Sequence, residues 1–196
     1  MTQALSLDPK TTALVLIDLQ HGIVGHALAP YTGAQVVEKS VRLAEATRAV
    51  GGTVIYVRVL LTELLHRPAD VSMRSPDAPP PPASASELVP EAGVQPGDVL
   101  ITKRQWGAFY GTDLDQQLRR RGIRTIVMAG IATNIGVEST ARAAFDFGYE
   151  LVFVEDAMTT FAAEAHRGSV DGVFRLMGRV RSTAEFVDAL STKPAA

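Results

Sequence analysis

Six short runs of apolar, largely β-branched residues punctuate the chain, at 13–17, 53–59, 99–102, 125–129 and 151–154, with a weaker one around Val180. Between them, side chains recur at helical spacing. Val36, Val37, Val41, Leu43, Ala44 and Thr47 mark one helix that Gly51-Gly52 stops, and Leu114 and Leu118 mark another that Gly122 stops. A third runs over about 135–147 and ends at Gly148, and a fourth covers about 162–176. Strands alternating with helices predict an α/β fold, a single domain built on an open, mostly parallel six-stranded sheet with helices on both faces, in the Rossmann-like manner. In such sheets ligands bind beyond the carboxyl ends of the strands, where helix N-termini and connecting loops converge.

The segment at about 60–95 breaks the rhythm. It contains Pro79-Pro80-Pro81-Pro82 and Ala83-Ser84-Ala85-Ser86 and has almost no periodicity. Four prolines in a row favour a stiff, extended path, so this Pro-rich insertion reads as a long loop: a lid, an oligomer contact, or a plain surface excursion.

The strand ends carry the candidate chemistry. Asp18 directly follows Leu14-Val15-Leu16-Ile17, and a carboxylate ending a central strand is costly unless it is paired or used. Lys103 follows Val99-Leu100-Ile101-Thr102 in the same way and offers an opposite charge at the same edge of the sheet. Two readings stand side by side: a buried ion pair that pins two strands, or an acid whose proton affinity is set by burial competing with a neighbouring ammonium. The third corner is Gly136, in the stretch Gly130-Ile131-Ala132-Thr133-Asn134-Ile135-Gly136-Val137-Glu138, which leaves one strand and enters the next helix. Backbone N–H groups at a helix start favour an anion or a carbonyl oxygen. Glycine here either serves the site or simply permits close packing.

These segments resemble the isochorismatase-like hydrolase superfamily, which includes isochorismatases, nicotinamidases and carbamoylsarcosine-type amidases. The resemblance covers nearly the whole chain. It is carried by Leu16-Ile17-Asp18-Leu19-Gln20, by Thr102-Lys103-Arg104-Gln105-Trp106-Gly107-Ala108-Phe109, by the stretch from Gly130 to Arg142, and by Val154-Glu155-Asp156-Ala157. In the amidase branch Asp, Lys and Cys form a triad. Asp18 and Lys103 match it, while Gly136 falls on the cysteine position, as it does in isochorismatases proper, where cleaving a vinyl ether needs no covalent nucleophile. The catalytic set implied is therefore Asp18, Lys103 and Gly136, with Asp18 as general acid and Lys103 orienting it. The resemblance also implies a non-proline cis peptide near Ile131-Ala132 and assembly as a homodimer or homotetramer. Gln20, Trp106, Phe109, Ile131, Ala132 and Ile135 are the candidate substrate contacts, with Arg104 a further polar one. For Trp106 and Phe109 ordinary core packing is the competing reading. The bulkier residue near Ala132 and the His near Thr133 or Asn134 that true isochorismatases display are missing. Isochorismate is thus one candidate among small carbonyl-bearing or carboxylated substrates. No cofactor is implied, and His66 and Asp70 lack convincing ligand spacing, so no metal is expected.

Composition narrows the choices further. There is no cysteine anywhere, so a thiol nucleophile, a disulfide and a thiolate metal site are all excluded. With 196 residues, 46% hydrophobic and 20% charged, one domain over 1–196 suffices. The formal charge is −2, and the only basic block, Arg119-Arg120-Arg121, lies at a predicted helix end, which argues against nucleic acid as a partner. No apolar run approaches the ~20 residues of a membrane span, and no leader is evident, so a cytoplasmic protein acting on a small molecule is expected. Two rivals remain: an amidase or ester hydrolase using water, Thr133 or Ser139 as nucleophile, and a non-catalytic small-molecule-binding homo-oligomer. For the weaker candidates, Glu138 and Arg142 are expected to pair along a helix. Glu155-Asp156-Ala157 is expected to end a strand and cap the following helix. His166 and Arg167 are expected at a surface or subunit contact, and His21 and His26 in solvated loop positions.

Overall fold

A computed structural model describes residues 5–65, 67–75 and 77–191. Its core is a six-stranded sheet with strand order β3-β2-β1-β4-β5-β6. The strands are β1 (Thr12–Ile17), β2 (Thr53–Val59), β3 (Val99–Lys103), β4 (Thr125–Ile131), β5 (Glu150–Thr159) and β6 (Gly178–Arg181), and every pair is parallel. All six apolar runs become strands, and the sheet is parallel throughout. β1 and β4 are buried along their whole length, because helices cover both faces.

The pleat sorts the core into two layers. Leu14, Leu16, Tyr56, Val127 and Val152 face α2 (Gly33–Ala49), which follows the short α1 (His21–Val24), and α7 (Thr183–Ser191), whose Phe186 fills the layer. Val15, Ile17, Ile55, Met128 and Phe153 face α3 (Leu114–Arg119), α4 (Glu138–Asp146) and the bent helix at 163–177. That bent helix consists of α5 (Ala163–Arg167), a wider π-helical stretch Gly168–Phe174 and α6 (Arg175–Met177). Phe174 stacks on Phe153 with ring centroids 4.0 Å apart. Helix α2 starts at a reciprocal cap between Thr32 and Gln35 and stops before Gly51, as its spacing predicts.

The structure differs from the expectations in four places. Helix α7 has no counterpart in the sequence reading. The third expected helix begins with a π-helical turn, Thr133–Val137, ahead of α4. Glu155-Asp156-Ala157 does not end β5. The strand continues to Thr159, and the register jumps from Met128 opposite Phe153 to Gly130 opposite Met158, so these residues bulge outward. Asp156 accordingly caps not the next helix but α7, accepting from the Thr183 N–H at 2.7 Å while pairing with Lys39. The 60–95 segment, finally, is only half irregular. Two 3₁₀ turns, Ala83–Ser86 and Pro90–Ala92, bury Ala85, Val89 and Ala92. They are tied down by the Val89 N–H to Leu19 carbonyl bond and by the Tyr56 hydroxyl on the Ala92 carbonyl. Among the described residues, no helix is long and apolar enough to cross a membrane.

Candidate functional site

The chain leaves β1 through a sharp turn. Asp18 takes φ +55, a left-handed setting that Asp tolerates better than most residues, and its N–H still donates to the Val57 carbonyl. This turn lifts the carboxylate over the carboxyl end of the sheet. Lys103 arrives from β3, two strands away. Adjacent strands are ~4.8 Å apart, so its four-carbon stem has to cross the end of β2, and only a long side chain reaches. Its Nζ lies 2.8 Å from Asp18 Oδ2 and donates to the Trp106 carbonyl at 2.7 Å. Asp18 is 5% exposed and Lys103 1%. The second carboxyl oxygen, Oδ1, is shut from solvent and has no hydrogen-bond partner.

Burial disfavours the charged form of Asp18 more than the charge and hydrogen bond of Lys103 favour it, so its carboxyl is held above the usual carboxylate range. The pair thus joins the ends of β1 and β3 while leaving one carboxyl oxygen without a partner.

Gly136 completes the corner. Gly130, at φ +116, lets β4 press against β1, since a Cβ there would meet the Ile17 carbonyl oxygen at 2.2 Å. The peptide Ile131-Ala132 is cis, as the resemblance implies. The turn Thr133–Val137 then folds back, with the N–H groups of Ile135 and Val137 both donating to the Ala132 carbonyl. A Cβ on Gly136 would stand 3.1 Å from Asp18 Oδ2 and 3.2 Å from Lys103 Nζ. Any side chain at 136 would thus project into the carboxyl–ammonium pair. Thr140 fastens this corner: its hydroxyl donates to the Gly136 carbonyl at 2.7 Å and accepts from the Ala108 N–H. Sequence reasoning missed Thr140, although it lies one helical turn beyond Gly136, where such bonding is common.

The other site candidates scatter. Ile131, Ala132 and Ile135 line the α2 side of the core next to the turn. Gln20 is fully buried, and both ends of its amide are engaged by β2, with Nε2 donating to the Val59 carbonyl at 2.8 Å and Oε1 accepting from the Val59 N–H at 2.7 Å. Trp106 is 53% exposed, and its backbone carbonyl accepts from Lys103. Phe109 packs between Phe147 and Tyr149 on the α3–α4 side. Arg104 pairs with exposed Glu63.

Glu138 and Arg142 form their helical ion pair, and Glu138 also accepts from Ser169. His166 corrects the surface expectation: it is buried, with Nδ1 2.9 Å from the Thr133 hydroxyl, whereas Arg167 is exposed and pairs with Glu164. His21 is exposed, and His26 is exposed beside Phe161. Among the described residues no group of three or more His, Asp or Glu is arranged to hold a metal ion, and His66 lies outside them.

Known proteins share this arrangement of elements. Residues 12–185 match the family described as Isochorismatase domain. The uncharacterized isochorismatase family protein YwoC of Bacillus subtilis (strain 168) is 48% identical over 195 residues, which cover 96% of this chain and 98% of YwoC. The structure of an isochorismatase family protein from Burkholderia thailandensis superposes with a TM-score of 0.89 at 46% identity, over 97% of this chain and all of the other. The ureidoacrylate amidohydrolase RutB of Methylobacterium radiotolerans is 30% identical over 218 residues, 96% of this chain and 83% of its own.

Proposed function

The chain belongs to the isochorismatase family of hydrolases, and from that premise we propose that it cleaves the enol-ether bond of a small metabolite with Asp18 as general acid and no covalent nucleophile. The observation that carries this reading is the buried Asp18 carboxyl, raised above its usual range, with Oδ1 unpartnered and Oδ2, on Lys103, facing a position that has no side chain. A thiol would stand at 136. Here glycine leaves Asp18 and Lys103 without a nucleophilic neighbour.

The chemistry fits those groups. Asp18 gives its proton to the terminal carbon of the enol ether, and the electron pair of the C=C bond forms the new C–H bond. The resulting oxocarbenium ion is captured by water. The hemiketal then loses its alcohol, yielding a ketone, and the proton released by the attacking water restores Asp18. Lys103 holds the carboxyl in place and stabilises its anion once the proton has gone. We read Ile131, Ala132 and Ile135 as an apolar wall beside Asp18 and half-exposed Trp106 as the rim of the site. General acid catalysis of this kind is commonly worth ~10²–10⁴-fold. We also read the protein as a homodimer or homotetramer, which would cover some of the exposed apolar side chains Tyr110, Phe147 and Leu176.

The test is release of pyruvate from isochorismate, run beside Asp18→Asn, whose side chain fits the same left-handed backbone. Turnover is expected in the parent and a loss of ~10²–10⁴-fold in the variant. Activity should also fall as pH rises through the raised Asp18 value, because the acid is then spent. The kinship to RutB makes an amide the informative competitor. Asp18-dependent hydrolysis of ureidoacrylate, with no enol ether cleaved, would overturn the reading in favour of water-mediated amide hydrolysis.

A further inference from the structure

Gly136 is useful to the site only while the turn that carries it stays put; Thr140 fastens its far end, and two further side-chain contacts hold its beginning. Thr160 donates to Asn134 Oδ1 at 2.6 Å. One residue earlier, the Thr133 hydroxyl meets His166 Nδ1 at 2.9 Å. Both members of that second contact are buried: Thr133 is fully enclosed, and His166 packs its ring edge-on against Tyr31, 6.3 Å between centroids. His166 forms no hydrogen bond or ion pair with Asp18 or Lys103, so it takes no part in the chemistry directly.

A core position in the last turn of α5 has no need of an imidazole if filling space is its whole task. Burying one is costly unless its nitrogens are satisfied, and a leucine would pack without that cost. The cost is met here by a bond to the side chain that opens the Thr133–Val137 turn. Burial keeps His166 below the ordinary imidazole range against the opposing charge of Asp171, with Arg167 adding to the effect. It is therefore neutral at neutral pH and suited to a hydrogen bond with a hydroxyl.

We propose that His166 is a positioning residue, which through the Thr133 hydroxyl holds the 133–137 turn so that Gly136 stays packed against Asp18 and Lys103. The role deepens the reading of Asp18 as the acid and rests on it. If the bond is lost, the turn relaxes and water enters beside Asp18. Its desolvation, the largest influence on the carboxyl, then weakens and its proton is held less tightly.

The experiment follows the Asp18 carboxyl directly, by carbon NMR titration, in the full-length protein and in His166→Leu, Thr133→Val, the double variant and His166→Asn. Leu fills the space without a polar atom, Val copies the shape of Thr without its hydroxyl, and the Asn amide places a polar atom close to where Nδ1 sits. The Asp18 titration should move down toward the ordinary carboxylate range in His166→Leu and in Thr133→Val, no further in the double variant, and stay near the parent in His166→Asn. Where an enol ether is turned over, kcat should fall ~10–100-fold in the first two with KM little changed, the penalty of a slightly misplaced site. Lower melting temperatures with an unmoved Asp18 titration would overturn the proposal and leave His166 a packing residue. Should His166→Leu fail to fold, the shape-preserving Thr133→Val decides alone. A titration that shifts as expected in a protein that cleaves no enol ether would instead sink the proposed reaction and leave the positioning role standing.

Discussion

At Asp18 and Lys103 the interaction that joins two side chains also sets the proton affinity of one of them. Lys103→Met removes both influences that lower the Asp18 carboxyl, so the acid moves further up and stays neutral in the folded protein. Orphaning a buried charge ordinarily costs ~3–5 kcal/mol, but a carboxyl that keeps its proton is not left charged, so a smaller loss is expected at low pH. The sign with pH follows from the direction of the shift. The folded state holds a proton that the unfolded chain, in the ordinary carboxylate range, has given up, so stability is lost as pH rises through the folded-state value. Urea unfolding at about pH 5 and about pH 8 should show the variant falling further below the parent at the higher pH. An equal deficit at both would mean that Asp18 does not carry the proton. That Asp18 and Lys103 stand at strand ends was legible in the sequence, because each follows an apolar run, whereas Gly136 was singled out through the 130–136 stretch and the family resemblance. The partners of His166 and Gln20 were not legible, since they lie 33 and 39 residues away and local periodicity carries no information about such pairs.

Elements were legible to the extent that burial is two-sided or a glycine punctuates them. Each of the six apolar runs became a strand, and the helices stop before Gly51, Gly122 and Gly148 as expected. What could not be read depends on tertiary partners. The outward bulge at Glu155-Asp156 is supported by Lys39 and Thr183 from two helices far off in sequence, and the π-helical widening of the 163–177 helix has no local signal. The joint between β1 and β2 is another such case, because the Gln20 amide stands in for the next rung of the ladder. Gln20→Leu keeps the volume but strands the N–H and C=O of Val59, and each orphaned group costs ~1–3 kcal/mol. A loss of at least ~2 kcal/mol by urea unfolding is expected. A change under about 0.5 kcal/mol, the usual range for an unimportant substitution, would show that the clamp is dispensable.

At the scale of the whole molecule, strand order distributes the site unequally. Asp18 and the 130–136 stretch hang from β1 and β4, which lie in the middle of the sheet with neighbours on both sides, whereas Lys103 hangs from β3, an edge strand bonded only to β2 and with Leu100 half exposed. Proteins open locally at free energies far below that of global unfolding, and edges open before centres. Amide hydrogens of 99–103 should accordingly exchange orders of magnitude faster than those of 12–17 and 125–131, and mild urea should abolish turnover before the near-ultraviolet signal of the core changes. Matching exchange rates across the three strands would refute this. A sheet edge that breathes would make the ammonium an intermittent partner, so that the acid at the centre is switched by the looseness of a strand that is not its neighbour in the sheet.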